Sequence, residues 1–260
     1  MVDTATRDTN QDWSRLAEES PYWGILSQDR FRGLDLSPEA EAEFFASGEK
    51  LIAKTVALSR RHLVPNMQIR RALDFGCGVG RVLLPLARLS TEAAVGVDVA
   101  PKMLELARAN LEKAGLSHAQ VVMGDDEFSQ VRGGFDFVNS VITLQHIQPE
   151  RGIAIVTRLL GLLDVGGVFS LQTIYARERQ ILLHEKGRAK FYRRVRTGLQ
   201  YLVEIPDSRP EGVISMYDYD LNELMLVVLA VAAEPLMVLP TDHGGHRGVH
   251  LIGCKAREAR

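Results

Sequence analysis

The sequence predicts an α/β protein built on a doubly wound, mostly parallel sheet with helices on both faces. Apolar runs of strand length alternate with apolar-periodic helical segments from residue 71 to residue 174. Gly76, Gly78 and Gly80 lie between the first strand and its helix, and the second strand ends on Asp98. Short connections of this kind give parallel strands, because the crossovers are right-handed and carry the helices over the sheet faces.

The elements follow from local signals. Ser37 precedes Pro38 at a helix start, and we expect that helix to end near Arg61. Pro101 opens a second helix, and Gly115 closes it. The predicted strands cover residues 72–75, 94–97, 120–123, 135–141, 168–174, 236–239 and 249–255.

Glycines predict three further boundaries. We expect Gly166 and Gly167 to terminate a helix over residues 150–163, and residues 243–248 to form a glycine-rich loop. Asp220 caps a predicted helix over residues 221–232.

We divide the chain into two parts. Residues 1–66 form an N-terminal helical extension, and residues 67–260 form a Rossmann-like domain. Within that domain, the charged residues 176–214 are an insertion after the fifth strand.

Composition narrows the class of protein. The 260 residues carry a formal net charge of −2, which argues against a nucleic-acid binder because such proteins display a strong basic excess. The longest uncharged apolar run, residues 224–233, is far shorter than the roughly 20 residues of a membrane span. Two cysteines imply neither a disulfide framework nor a zinc cluster. We therefore expect a cytoplasmic protein that binds neither membrane nor nucleic acid, with an oligomeric state that the sequence leaves open.

The glycine turn and Asp98 predict a nucleotide site. Glycines at a helix N-terminus let a ligand approach unpaired backbone N–H groups, and Asp98 is placed to accept ribose hydroxyls. The spacing is G-x-G-x-G rather than the G-x-G-x-x-G of dinucleotide sites. Asp74 adds a negative charge where a pyrophosphate would lie, so a cationic ligand is favoured.

The stretches DFGCGVG, from Asp74, and VGVDVAPKMLELA, from Val95, resemble the first two motifs of class I S-adenosylmethionine-dependent methyltransferases. The resemblance implies a seven-stranded sheet with an antiparallel last strand, and S-adenosyl-L-methionine as the cofactor. Asp74 would lie near the methionine end, Asp98 would bind the ribose, and Asp125 and Asp126 would meet the adenine through side chain and backbone. Alternatively, these last two acids simply cap the following turn. The implied cofactor-binding residues are Asp74, Gly76, Cys77, Gly78, Asp98, Val99, Met103, Asp125, Asp126 and Ser140.

The N-terminal extension is rich in aromatic residues. The resemblance implies a segment that folds over cofactor and substrate, with Tyr22, Trp23, Phe31 and Arg32 as candidates. The alternative is that these rings only fasten the extension to the outside of the domain.

Histidines and basic residues supply the candidates for acceptor chemistry. His146 follows the fourth strand and is either a general base or an anchor for its loop. His243, His246 and His250 lie close together but form only a weak metal motif, because two are in a glycine-rich loop and no acid or cysteine ligand accompanies them. We therefore predict no metal and treat His243 and His246 as candidate substrate contacts. The basic insertion is either a solvated face or a site for an acidic substrate.

The predicted reaction is methyl transfer to oxygen or nitrogen of a small-molecule acceptor, such as a sugar, a natural product or an acidic metabolite. The D/N-P-P-aromatic signature for amide and adenine nitrogens is absent, since Asn139-Ser140-Val141-Ile142 follows the fourth strand. A nicotinamide-dependent oxidoreductase and a non-catalytic cofactor-binding module remain as alternatives.

Overall fold

The computed structural model describes residues 9–178, 189–196, 199–206 and 215–256. The helices are α1 Thr9–Glu19, α2 Pro21–Ile25, α3 Pro38–His62, α4 Leu83–Leu89, α5 Pro101–Lys113, α6 Pro149–Leu162 and α7 Leu221–Leu229, with 3₁₀ turns at Asp29–Phe31 and Leu144–His146. The strands are β1 Arg71–Phe75, β2 Ala93–Asp98, β3 Ala119–Met123, β4 Phe135–Ser140, β5 Leu163–Arg177, β6 Ala189–Arg196, β7 Leu199–Pro206, β8 Met216–Tyr217, β9 Met237–His243 and β10 His246–Cys254.

Seven strands form one sheet in the order β3-β2-β1-β4-β5-β10-β9. The first five strands in this order are parallel to one another, and β10 is antiparallel to both β5 and β9. The predicted fold, mostly parallel with an antiparallel last strand, is confirmed. The chain moves outward from β1 to β3 and then returns to β4, so the strand order reverses between β1 and β4. Ligands bind at such a reversal, outside the carboxyl ends of the strands.

Both faces of the sheet are covered by apolar packing. On one face, α6 and α7 pack through residues such as Leu159 and Val228 against Leu73 of β1. On the other face, Ile52 and Val56 of α3 pack with apolar residues of four strands. Full coverage explains why the central strands are apolar in nearly every position.

Several helices begin or end where local sequence signals predict. The Ser37 side chain accepts a hydrogen bond from the Ala40 N–H at 3.3 Å, and Pro38 follows at the first helical position. Gly115, with φ +69°, follows α5 in the left-handed region that glycine tolerates. These caps explain why α3 and α5 begin and end close to their predicted positions.

Three predicted boundaries are wrong. Gly166 and Gly167 do not end a helix, because α6 stops at Leu162 and β5 begins at the next residue and runs through both glycines. Residues 243–248 do not form a loop, because Gly244 and Gly245 alone make a two-residue turn between β9 and β10. The helix after Asp220 ends at Leu229, three residues early.

The insertion contains strands. β6 and β7 pair antiparallel, and β7 pairs with β8, so a three-stranded sheet follows β5. Arg188 and the side chains of the other basic residues in this hairpin lie outside the described residues. The choice between a solvated face and an acidic-substrate site stays a prediction.

Candidate active site

A cleft of about 770 Å³, including the part open to solvent, lies at the carboxyl ends of β1 to β4. Its wall is formed by the glycine turn, the ends of β2 and β3, the segment after β4 and the N-terminal helices. The lining residues are Thr9, Asn10, Trp13, Ile25, Phe75, Gly76, Gly78, Asp98, Val99, Met103, Gly124, Asp125, Asp126, Val141, Ile142, Thr143, His146, Ile147 and Arg151.

The glycine turn connects β1 to α4 and lies against the end of β2. The N–H groups of Gly76 and Cys77 both donate to the Val97 carbonyl, at 2.8 and 3.1 Å. Gly76 has φ +75°, and a Cβ there would lie 2.1 Å from the Thr143 hydroxyl oxygen. Only glycine fits this position, because any side chain would meet both backbone strain and the segment after β4.

Asp98 ends β2 and faces the cleft. One carboxylate oxygen accepts the Gly78 N–H at 2.9 Å, and the other accepts the Ala100 N–H at 3.0 Å. Desolvation raises the pKa of Asp98, and these N–H donors oppose the shift. Each oxygen keeps a lone pair, so the carboxylate can still accept two hydroxyl groups from a ligand.

The end of β3 brings Asp125 and Asp126 to the cleft. The Asp125 carboxylate accepts hydrogen bonds from the Ser129 N–H and hydroxyl, which lower its pKa. Both Asp126 oxygens bind the Arg151 guanidinium at 2.7 Å. Asp125 therefore caps its own turn, and the alternative interpretation of that side chain matches the observed contacts.

The segment after β4 has a strained backbone. Ile142 lies at φ +62°, a conformation that β-branched residues rarely adopt. Its N–H donates to the Gln172 side chain of β5 at 2.8 Å, which holds the segment in place. Thr143 consequently packs on Gly76, and both Ile142 and Thr143 line the cleft.

His146 lies at the inner end of the cleft and is buried. Its Nδ1 lies 3.1 Å from the Ser215 carbonyl, so this nitrogen is the protonated donor. The Nε2 atom then carries a lone pair, and it lies 3.5 Å from the Gln145 side-chain nitrogen. The ring packs edge-on against Trp13, with ring centroids 5.1 Å apart.

The N-terminal helices form the roof of the cleft through residues that the sequence did not single out. Trp13 and Ile25 contribute apolar surface, and a Cβ on Gly78 would lie 2.5 Å from Ile25 Cδ1. Asn10 lies on the same side, with its side-chain oxygen 3.2 Å from Arg151 Nη1. The extension therefore borders the cleft through Thr9, Asn10, Trp13 and Ile25, and its role as a cover for cofactor and substrate stays a prediction.

The four residues predicted for this role do not line the cleft. Tyr22 and Phe31 are buried against Phe44, with ring centroids 5.1 and 5.4 Å away. Trp23 stacks under the Arg32 guanidinium at 4.4 Å, outside the cleft lining. Tyr22 and Phe31 also share a buried apolar cluster with Val79, Ala100 and Met103 of the domain, so these two rings help to fasten the extension to it.

Three predicted cofactor residues lie beneath the cleft rather than on its wall. Cys77 is buried, with its sulfur packed toward Gly96 of β2. Ser140 and Asp74 are also buried and absent from the lining. Asp74 has one carboxylate oxygen, Oδ2, without a hydrogen-bond partner among the described residues.

The histidines of the last hairpin do not line the cleft either. His243 Nε2 lies 3.3 Å from the Gln172 side-chain nitrogen, and His246 Nδ1 lies 3.1 Å from the His243 carbonyl. Desolvation lowers the pKa of His243. Within the part of the chain that the structure describes, no three His, Cys, Asp or Glu side chains converge as metal ligands.

A sheet of this order, with a glycine turn and an acid sharing one cleft at the strand reversal, defines the Rossmann-like methyltransferase fold. Residues 72–167 match the family model described as a methyltransferase domain. Over this stretch, the resemblance to class I S-adenosylmethionine-dependent methyltransferases is confirmed.

Curated relatives match only part of this chain. A ubiquinone biosynthesis O-methyltransferase of Methylocella silvestris is 38% identical over 82 residues, which cover 32% of this chain and 32% of that protein. A trans-aconitate 2-methyltransferase of Methylobacterium radiotolerans is 34% identical over 110 residues, covering 42% and 40%. The chain thus spans less than half the length of these relatives.

Solved structures share the fold over nearly the whole chain. The N-terminal domain of EvdMO1, with S-adenosylhomocysteine bound, aligns with TM-score 0.59 at 16% identity and covers 97% of this chain and 99% of that one. Magnesium protoporphyrin IX methyltransferase from Synechocystis PCC 6803, also with S-adenosylhomocysteine bound, aligns with TM-score 0.58 at 17% identity, covering 91% and 97%. Among the described helices, none combines the length and the apolar character needed to cross a membrane.

Proposed function

We propose that this protein transfers a methyl group from S-adenosyl-L-methionine to a small-molecule acceptor. The observation that carries the proposal is the Asp98 carboxylate beside the glycine turn, in one cleft of a methyltransferase domain. Solved structures of the same fold hold S-adenosylhomocysteine, which supports the choice of cofactor.

The residues of the cleft fit this cofactor. Asp98 offers lone pairs to the two ribose hydroxyls, and Gly76 leaves the space that a Cβ would fill. The partnerless oxygen of Asp74 suits a ligand with a positive charge at that end, since a buried carboxylate favours a nearby cation. Asp125 and Asp126 border the region left for the adenine.

When bound, the sulfonium supplies an electrophilic methyl group, so the protein has mainly to orient an acceptor and remove its proton. His146 is our candidate for the residue that removes this proton. Its Nδ1–H is held by the Ser215 carbonyl, and this tautomer makes Nε2, which lies 3.5 Å from the Gln145 amide nitrogen, the basic atom of the ring that would take a proton from a hydroxyl or ammonium group. The loop-anchor alternative is compatible with the same hydrogen bond, so the test must separate proton transfer from stability.

The roof of the cleft supports a role for the N-terminal extension, which we place at residues 1–66, in excluding water. Trp13 packs on His146 and Ile25 packs over Gly78, so the reacting groups lie under apolar side chains. Removing water strengthens electrostatic interactions within such a site.

Two of the curated relatives and one solved structure favour a small acceptor. The relatives are named for ubiquinone biosynthesis and for trans-aconitate, and a structure of similar fold was determined in the presence of D-fucose. A third relative is named for ribosomal protein L11. We infer a metabolite or natural product rather than a macromolecule, and methylation at oxygen is the first reaction to examine.

Calorimetric titration of the protein with S-adenosylmethionine, S-adenosylhomocysteine and NAD tests the cofactor. We expect binding of the first two and not of NAD, and the reverse result would favour the oxidoreductase. Incorporation of labelled methyl groups from S-adenosylmethionine into pooled small metabolites then tests turnover. Binding without transfer to any pool would favour a non-catalytic module.

A further inference from the structure

Four buried polar side chains form a continuous hydrogen-bonded chain beneath the cleft. Asn139 Nδ2 donates to Asp74 Oδ1 at 2.8 Å, and Ser170 Oγ donates to Asn139 Oδ1 at 2.8 Å. His250 Nε2 lies 2.8 Å from Ser170 Oγ. All four side chains are buried.

The chain crosses four neighbouring strands. Asp74 pairs with Asn139 in the register of β1 and β4, and Asn139 pairs with Ser170 in the register of β4 and β5. His250 belongs to β10, the antiparallel strand beyond β5. His250, three strands away from β1, is thereby connected to Asp74, which lies two residues before the first glycine of the turn.

When Asp74 is ionised, every hydrogen bond in this hydrogen-bonded chain is donated toward Asp74. An ionised Asp74 can only accept, so Asn139 must present its amide nitrogen to Asp74 and its carbonyl to Ser170. The Ser170 hydroxyl then donates its proton to the Asn139 carbonyl oxygen. The Ser170 oxygen must therefore accept a hydrogen bond from the Nε2–H group of His250. Every hydrogen bond in the chain stabilises the negative charge of Asp74.

The hydrogen bonds can run in the opposite direction only when Asp74 is neutral. One proton from solvent adds to Asp74 Oδ1, which then donates to the turned amide of Asn139. Ser170 in turn accepts from Asn139 and donates to His250 Nε2, whose own proton moves to Nδ1. The Nδ1–H tautomer of His250 therefore requires a neutral Asp74, whereas a proton added to Asp74 Oδ2 leaves the direction of the chain unchanged.

Asp74 can be ionised or neutral near pH 7, because its pKa lies close to that value. Burial raises its pKa to about 7, while the hydrogen bond from Asn139 and the charge of Arg81 oppose the shift and Asp98 adds to it. Burial and the charge of Lys54 on α3 lower the pKa of His250 to about 4, so its ring is neutral near pH 7. A neutral ring has one N–H, and its position decides which direction the chain takes.

We propose that His250, acting through Ser170 and Asn139, is a positioning residue that holds Asp74 in its ionised form and so sets the affinity of the cleft for the ammonium group at the amino-acid end of the cofactor. This rests on the proposed function. The effect acts on binding, because none of the three residues lines the cleft where an acceptor would lie.

The test measures binding of two probes by calorimetry at pH 7. S-adenosylhomocysteine carries the amino-acid end with its ammonium, whereas 5′-methylthioadenosine lacks it and shares the adenosine part. Replacing His250 by leucine, or Ser170 by alanine, should weaken S-adenosylhomocysteine binding about fivefold at pH 7, because a rise of one unit in the Asp74 pKa from about 7 lowers the ionised fraction by about that factor. Binding of 5′-methylthioadenosine should stay close to that of the parent protein.

Two further variants separate positioning from structural support. In His250→Gln, the side-chain amide nitrogen can occupy the place of Nε2, so affinity for S-adenosylhomocysteine should recover. Ile252→Val removes one methylene from the same face of β10 and leaves the chain intact, so it should change neither affinity. Ser170→Ala keeps the test informative if His250→Leu folds poorly.

The pH profile supplies a readout that packing alone would not change. Affinity of the parent for S-adenosylhomocysteine should fall as the pH drops through about 7, because Asp74 becomes protonated. In His250→Leu and Ser170→Ala, the same fall should appear at higher pH.

Equal losses for both probes, or an unshifted profile, would show that the chain only supports the sheet and would overturn the proposal. If the parent binds neither probe, the proposed function itself fails.

Discussion

The Asp98 carboxylate accepts the Gly78 N–H at 2.9 Å, and this bond ties the end of β2 to the glycine turn. The acid therefore has two tasks, because it shapes the turn and also faces the ligand. A substitution that removes only the charge can distinguish them.

We expect Asp98→Asn to weaken S-adenosylmethionine binding by about 2 to 3 kcal/mol, since hydrogen bonds to a charged acceptor are lost while the side-chain shape is kept. Calorimetry gives the affinity, and circular dichroism checks the fold. Glu105→Gln, on the exposed face of α5, is the control that removes a charge nearby without affecting the cleft. Wild-type affinity in folded Asp98→Asn would contradict the assignment.

The two tryptophans offer a matched pair for the role of the N-terminal helices. Trp13→Ala should lower kcat/KM at least about tenfold, because it opens the cleft to water and removes the ring that packs on His146. Trp23→Ala should have little effect, because Trp23 lies outside the cleft. Steady-state kinetics with an identified acceptor checks both, and equal effects would show that the extension acts only through stability.

For His146→Ala we expect kcat to fall by roughly 10² to 10⁴ with a hydroxyl or ammonium acceptor, while cofactor affinity changes little. The parent rate should fall on acidification as the imidazole takes up a proton, and the variant should lack this dependence. His62→Ala, on the exposed end of α3, is the control. A joint loss of thermal stability and cofactor affinity, with the acid dependence retained, would identify His146 as a loop anchor.

Two glycines at positive φ differ in their surroundings and so test the close approach at the turn. Gly76→Ala should cost roughly 2 to 4 kcal/mol of unfolding free energy, because the Cβ meets Thr143 as well as backbone strain. Gly33→Ala has open space around its Cβ and should cost only about 1 kcal/mol. Urea unfolding measures both, and similar losses would mean that the Thr143 segment moves away freely.

The sequence was sufficient to predict those parts of the site that depend on local pattern. Gly76, Gly78 and Asp98 were found because a turn at a helix start and an acid at a strand end have signatures within a few residues. Trp13 and Ile25 were missed because the extension contains several apolar and aromatic residues that look alike in the sequence. Only packing decides which of them line the cleft and which contact Phe44.

Other misses had a readable signal. Gly244-Gly245 between two extended segments is a pattern for a two-residue hairpin turn, and both residues do have positive φ. Asn139 and Ser170 are polar residues inside apolar strands, which indicates a buried partner. The identity of that partner depends on strand order across the sheet, and a linear pattern does not contain it.

Ile25 packs directly over Gly78, where a Cβ would lie 2.5 Å from its Cδ1. A ligand that contacts the turn at Gly78 therefore displaces the Ile25 side chain, which lies at the end of α2. Steps that need such a rearrangement are slower than encounter by diffusion. We expect the size of the side chain at position 25 to affect how long each cofactor molecule stays bound.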